Sequence, residues 1–335
     1  MKEFYIMNRA RLVQVLKKNA FFRFAANFWF LISSLWRADL LSIRHLSELH
    51  EIWLKVEKHD RNMLSLPHSM YPSQTVAKSK DLYRGREYQV FSQNGEDGLL
   101  LYIFSQIGAT NRFFVEFGAG GATSNTRNLS TQFGWNGVSF DGDENSIAEM
   151  REMYGRLSAT DTTRTLRAET VWLSEETVKY QLSQYDIPAD FDLLSIDIDG
   201  IDYWLWRALE EFRPRVVVVE YNASLGPDAK LAIPYERDFY RWNSKWHPAG
   251  WYYGASLSAW AELAKSKGYE LIACESTGVN AFFVRADLLV PGLPAQTAVE
   301  AFYPDTRRAA IAPQQQQIDE LKQFPWVETS MATAA

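Results

Sequence analysis

Two unbroken apolar runs constrain this chain most: FDLLSIDIDG at 191–200 and RPRVVVVEYN at 213–222. Each is apolar at consecutive positions rather than alternate ones, as expected of strands covered on both faces. The segment between them, IDYWLWRALEEF, reads as a helix with Trp204 or Leu205 and Leu209 inward. A strand, a helix and a second strand buried on both faces make a unit of a parallel sheet with a right-handed crossover. Upstream, RFFVEFG (112–118) and NGVSFDGD (136–143) repeat the strand pattern, and AETVWL (168–173) repeats it more weakly. Downstream, SLSAWAELAKSKGY is an amphipathic helix opened by Ser256 and closed by Gly268. YELIACES and NAFFVRA, joined by TGV, read as a hairpin that puts one antiparallel strand into the sheet.

The expected domain of alternating strands and helices runs from 86 to 290, an α/β fold with a mostly parallel sheet. Residues 1–85 read as helical: Ile43, Leu46, Leu49, Ile52 and Val56 mark one helical face, and Pro67 and Pro72 open a polar connector. His45, His50 and His59 lie there and are given no role. The apolar segment FAANFWFLISSLW (24–36) follows the basic residues Lys2, Arg9, Arg11, Lys17 and Lys18. As a helix it reaches about 20 Å, short of the ~30 Å hydrocarbon core. No small-residue cleavage site follows it, so it reads as neither a span nor a signal. Two readings stand: a peripheral anchor on a membrane surface, or a helix packed on the protein or on a second copy of the chain. The Pro-, Ala- and Gln-rich stretch 291–335 reads as a surface tail, partly disordered.

A net charge of −6 argues against a surface built mainly for nucleic acid. Cys274 is the one cysteine, which excludes an internal disulfide and a multi-cysteine zinc site; its apolar run makes it a small core residue. The expected location is cytoplasmic, with peripheral contact at the inner face of the membrane on the anchor reading.

Ligands of such sheets bind beyond the carboxyl ends of the strands. The first strand ends Glu116-Phe117-Gly118-Ala119-Gly120. Its glycines let a ligand approach the backbone. A nicotinamide fingerprint wants a third glycine where this chain has Thr123. An acid beside the first glycine sits badly against a pyrophosphate and well against a cation. That favours S-adenosylmethionine, which carries an ammonium and a sulfonium and no phosphate. The second strand ends with Asp141, 23 positions after Gly118, where an acid would hold a ribose diol, with Asp143 as second choice. The fourth ends with Asp197 and Asp199, and the fifth with Glu220 and Asn222. Asp199, Glu220 and Asn222 offer oxygens suited to Mg²⁺ or Mn²⁺. Alternatively one carboxylate is a general base, or Asp197 or Asp199 caps the next helix. Glu96 and Asp97 read as first-turn caps. The long aromatic insert 223–255 reads as a lid or acceptor site, and its His247 as a second candidate base.

Taken together, VEFGAG, WNGVSFDGD, FDLLSIDIDGIDYWLW, RPRVVVVEYN and GVNAFFVR resemble the FkbM-like branch of class I S-adenosylmethionine-dependent methyltransferases, and SQNGEDG resembles a motif seen upstream in its bacterial members. The resemblance covers about residues 90–290. It implies a Rossmann-like, seven-stranded sheet with the last strand antiparallel. It also implies Glu116, Gly118 and Gly120 around the methionine part of the cofactor, Asp141 on the ribose, and O-methylation of sugars or natural products. Family members often read DVEG where this chain has Asp197-Ile198-Asp199-Gly200, and the second acid resembles instead those of metal-dependent O-methyltransferases. The expected cofactor-facing residues are therefore Glu116, Gly118, Gly120, Asp141, Asp143 and Asp197, and the expected catalytic ones Asp199 and His247. The expected activity is O-methylation of a carbohydrate, glycoconjugate or related hydroxyl. The rival readings are a non-catalytic binding or assembly module and a nicotinamide-dependent oxidoreductase.

Overall fold

The computed structural model describes residues 80–329. The expected N-terminal helices and the segment 24–36 lie outside the described residues. No helix among the described residues is long and apolar enough to cross a membrane.

Seven strands form one sheet: β1 (Phe113–Phe117), β2 (Asn136–Asp141), β3 (Leu166–Thr170), β4 (Leu193–Ile196), β5 (Val216–Glu220), β7 (Tyr269–Cys274) and β8 (Asn280–Arg285). Their order is β3-β2-β1-β4-β5-β8-β7. The first five are parallel, and β8 runs antiparallel to both β5 and β7. The expected hairpin is therefore present, and the sheet is of the Rossmann-like, mostly parallel kind. A second, two-stranded sheet pairs β6 (Leu231–Ala232) with β9 (Val327–Glu328). The helices in chain order are α1 (Lys80–Arg84), α2 (Glu96–Ile107), α3 (Arg127–Gln132), α4 (Glu144–Thr160), α5 (Val178–Ser183), α6 (Asp202–Ala208), α7 (Leu257–Ser266), α8 (Ala298–Ala301), α9 (Thr306–Ala309) and α10 (Gln314–Leu321).

The apolar runs behave as strands buried on both faces should. Val115, Phe117, Leu194, Ile196, Val217 and Val219 point into one core with Trp206 and Trp260. Their neighbours Phe114, Leu193, Val216 and Val218 point into the other, with Leu99, Ile103 and Met150. The period of two thus feeds two cores, one per face. The turn between β1 and its upstream helix is held by Asp192, whose buried carboxylate accepts the N–H groups of Thr110, Asn111 and Arg112.

The C-terminal residues depart from the tail expected after 290. Ala298, Ala301, Ala312 and Leu321 are buried in the first core. Gln317 is buried as well and accepts from Ser224 Oγ at 2.8 Å. Low hydropathy hid these helices: apart from Leu321, their buried residues are alanines, Arg308 and Gln317 rather than a stripe of large apolar residues. Asp97 does not cap α2 either. One oxygen of its carboxylate collects the N–H groups of Val90, Phe91 and Ser92, which shapes the loop leading into the helix.

Candidate functional site

The carboxyl ends of β1, β2, β4 and β5 border a cavity of about 830 Å³, within the range of small-molecule sites. The glycine loop forms one wall. Gly118 and Gly120 have φ of 79° and 56°, the left-handed region that a β-carbon disfavours. Gly120 N–H donates to Asp141 Oδ2 at 3.0 Å, while Asp141 Oδ1 accepts from Asp143 N–H at 2.8 Å. Asp141 therefore ties the end of β2 to the loop after β1. Asp143 also borders the cavity, and it caps α4 by accepting from Ser146 N–H at 2.8 Å. That bond holds its carboxyl below the usual range.

Glu116 lies beneath the loop rather than in the cavity wall. Its carboxylate accepts from Ser124 Oγ, Thr126 Oγ1 and Ser139 Oγ at 2.7 to 3.2 Å and from Thr126 N–H at 3.3 Å. Burial pushes it up to about 7, against those four donors. The acid before the glycines thus braces the loop through Ser124 and Thr126, and it is not among the residues that line the cavity.

The loop after β4 is built around Asp202. Its carboxylate accepts from Ile198 N–H at 2.7 Å and Gly200 N–H at 2.8 Å. Neither Asp197 nor Asp199 caps the next helix: the N-cap of α6 is Ile201, and no side chain caps it. Asp197 and Asp199 are left facing the cavity, and Asp199 sits at φ 57°. Glu220, at the end of β5, joins them: Asp197, Asp199 and Glu220 each bring an oxygen within 4.8 Å of the others. Glu220 Oε1 accepts from Tyr253 Oη at 2.8 Å, and Oε2 is buried with no donor. Burial raises both Asp197 and Glu220. Repulsion by Asp202 adds to the rise of Asp197, which reaches about 7 although a side-chain hydrogen bond with Glu220 works against it, and repulsion by Asp197 and Asp202 adds to the rise of Glu220.

Two expected residues stand apart. Asn222 is fully buried and spent: its Nδ2 donates to the carbonyls of Trp251 and Tyr253, and its Oδ1 accepts from Arg308 and Ser224 N–H. No oxygen of it is left for a metal. His247 stacks on Trp251 at 4.7 Å between ring centroids, with its Nε2 3.0 Å from Glu320 and its Nδ1 accepting from Ala249 N–H at 3.2 Å. It is outside the cavity wall, and both ring nitrogens are engaged.

Two arginines enter that the sequence reading passed over. Arg241, in the aromatic insert, contacts the Asp199 carboxylate and lies 4.0 Å from Glu220 Oε1. Arg308, on α9, donates to Tyr253 Oη at 2.8 Å. The chain Arg308–Tyr253–Glu220 thus runs from the C-terminal segment into the site. The pair Arg307-Arg308 after a capping Asp305 was the available signal. The insert also supplies Tyr240 and Trp242, which with Trp172 line the mouth and are each more than half exposed. A β-carbon on Gly142 or Gly250 would strike the indole of Trp172 or Trp242 at 2.7 Å, so each ring packs closely on a glycine.

No protein-family model matches the chain, and no curated protein matches its sequence. Solved structures do match. A StiE O-methyltransferase segment (residues 942–1257) is 11% identical with TM-score 0.27, over 48% of this chain; the chain spans 46% of that segment. The O-methyltransferase from Bacillus cereus in complex with SAH is 19% identical with TM-score 0.34, over 68% of this chain and 87% of that one. An S-adenosylmethionine-dependent methyltransferase from Clostridium acetobutylicum ATCC 824 is 10% identical with TM-score 0.33, over 55% and 88%.

Proposed function

We propose that the protein transfers a methyl group from S-adenosylmethionine to a hydroxyl of a carbohydrate, glycoconjugate or related natural product. One observation carries this reading: every strand end that borders the cavity contributes an acid or a left-handed glycine. Gly118 and Gly120 follow β1, Asp141 and Asp143 end β2, Asp197 and Asp199 follow β4, and Glu220 ends β5. A pyrophosphate at the glycine loop would meet the Asp141 and Asp143 carboxylates and be repelled. A ligand with an ammonium and a sulfonium is favoured by them.

The residues present fit that cofactor. Asp141, which borders the cavity at the end of β2, is the residue we assign to the ribose diol, and the loop 118–120 lets a ligand approach the backbone. When bound, the sulfonium supplies an electrophilic methyl group. The chain's own part is to hold the acceptor hydroxyl in line with it and to take its proton. Asp199 is paired with Arg241, and His247 is outside the cavity, so the proton goes to Asp197 or Glu220, the other two acids at these strand ends. The exposed faces of Trp172, Tyr240 and Trp242 suit an acceptor with a flat apolar face, such as a pyranose ring.

Calorimetric titration with S-adenosylhomocysteine and with NAD tests the cofactor. Binding of the first and not the second is expected. Binding of NAD alone would make the protein an oxidoreductase, and binding of neither would leave the non-catalytic module. Transfer of tritium from labelled S-adenosylmethionine to a panel of methyl glycosides then tests the acceptor class.

A further inference from the structure

Three carboxylates with oxygens within 4.8 Å of one another make a set that ordinarily takes a hard divalent cation. In this protein a side chain stands there. Arg241 is only 9% exposed, and its guanidinium has several partners. Nε donates to the Gly250 carbonyl at 3.0 Å, one terminal nitrogen donates to Asp199, and the same nitrogen lies 4.0 Å from Glu220 Oε1. The guanidinium carbon lies 3.8 Å from the centre of the Tyr253 ring, a cation–π distance.

Such an arginine is a built part of the site and not a surface arm folded in. A planar fork held by a carbonyl, a carboxylate and an aromatic face has little freedom left to lose. A metal ion entering the cluster would have to expel it, leaving the Gly250 carbonyl without its donor and the Tyr253 ring with only Arg308, 5.1 Å away. The remaining buried groups add little room for compensation: Asp202 is occupied by two backbone N–H groups, and Arg308 is committed to Asp305, Asn222, Ser224 and Tyr253.

We infer that Arg241 is the resident cation of the Asp197–Asp199–Glu220 cluster: it occupies the place of a divalent ion and excludes one. Glu220 borders the cavity, and its buried Oε2 has no hydrogen-bond partner. The arrangement also couples two parts of the site. Arg241 is flanked by Tyr240 and Trp242, so the residue that neutralises the acids pins the aromatic mouth as well.

Mn²⁺ itself is the probe, followed by the loss of its free-ion electron paramagnetic resonance signal. The native protein should take up none at about 1 mM, the weak end of the range for oxygen-ligand sites. Arg241→Gln should take up a stoichiometric ion, and adding Asp199→Asn should abolish that uptake. Arg241→Lys keeps the charge and should exclude Mn²⁺ as the native chain does. Arg241→Met, which keeps the stem packed on Tyr253, is the second variant if the glutamine chain does not fold. Stoichiometric uptake by the native protein, lost in Asp199→Asn, overturns the inference, as does absence of uptake by a folded Arg241→Gln or Arg241→Met. S-adenosylhomocysteine affinity measured on the same samples reports on the methyl-transfer reading separately.

Discussion

Gly118 and Asp197 meet backbone to backbone: a β-carbon on Gly118 would lie 1.6 Å from the Asp197 carbonyl oxygen. The contact joins the loop after β1 to the end of β4, and it puts the glycine loop directly beside the acid cluster. Gly118→Ala therefore has two penalties. The left-handed backbone costs about 1–2 kcal/mol for a residue with a β-carbon, and the clash must also push the two strand ends apart. Gly120→Ala has only the first, since its β-carbon would meet nothing nearer than Thr123 Oγ1 at 3.5 Å. Gly118→Ala should lose S-adenosylhomocysteine binding and melt well below Gly120→Ala. Equal melting temperatures in the two variants would show that the strand ends yield freely.

That contact shows what the sequence could and could not say. The strand–glycine junction was legible because a strand buried on both faces and a turn needing positive φ each demand particular residue types. The hairpin 269–285 was legible for the same reason. The role of Glu116 was not: an acid at a strand end reads alike whether it faces the cavity or hangs below the loop, and only the positions of Ser124, Thr126 and Ser139 decide. Asn222 and His247 misled because both are buried polar residues near the site whose partners come from distant segments, such as Arg308 and Glu320. Arg241 was hidden by the insert's irregular path, which has no period to read.

Asp141 holds two backbone N–H groups in the structure, those of Gly120 and Asp143, and would hold the ribose besides. Asp141→Ala should lower S-adenosylhomocysteine affinity about 10- to 100-fold, the worth of charge-assisted hydrogen bonds. Asp141→Asn keeps one acceptor oxygen and should fall between. Calorimetry on folded variants checks this, and unchanged affinity in Asp141→Ala would remove the residue from the cofactor site.

Glu116 predicts a pH dependence of stability. Burial raises its carboxyl from 4.5 to about 7. Between those values the folded chain keeps the proton that the unfolded chain has released. The contribution is therefore complete below 4.5 and is lost as pH rises through about 7. A difference of this size amounts to about 3 kcal/mol. Glu116→Gln mimics the protonated form and should remove the effect, so its advantage over the native chain should grow from pH 5 to pH 8. Urea melts at the two pH values measure it. Curves that stay parallel would mean that the four donors hold the carboxylate ionised throughout.

His247 should prove structural. Its ring stacks on Trp251 and its Nε2 meets Glu320, so it fastens the insert to α10. Trp251 in turn borders the cavity, one side chain removed from His247. His247→Ala takes away the stack and leaves the Ala249 N–H without its acceptor, which should lower the melting temperature by several degrees. S-adenosylhomocysteine affinity should stay within about twofold, because no atom of the ring lines the cavity and a twofold change is under 1 kcal/mol. Glu320→Gln weakens the same fastening from the other end and should reproduce the thermal effect in milder form. The opposite pattern, unchanged melting with a tenfold or greater loss of affinity, would place the imidazole against the ligand and restore it as a candidate base.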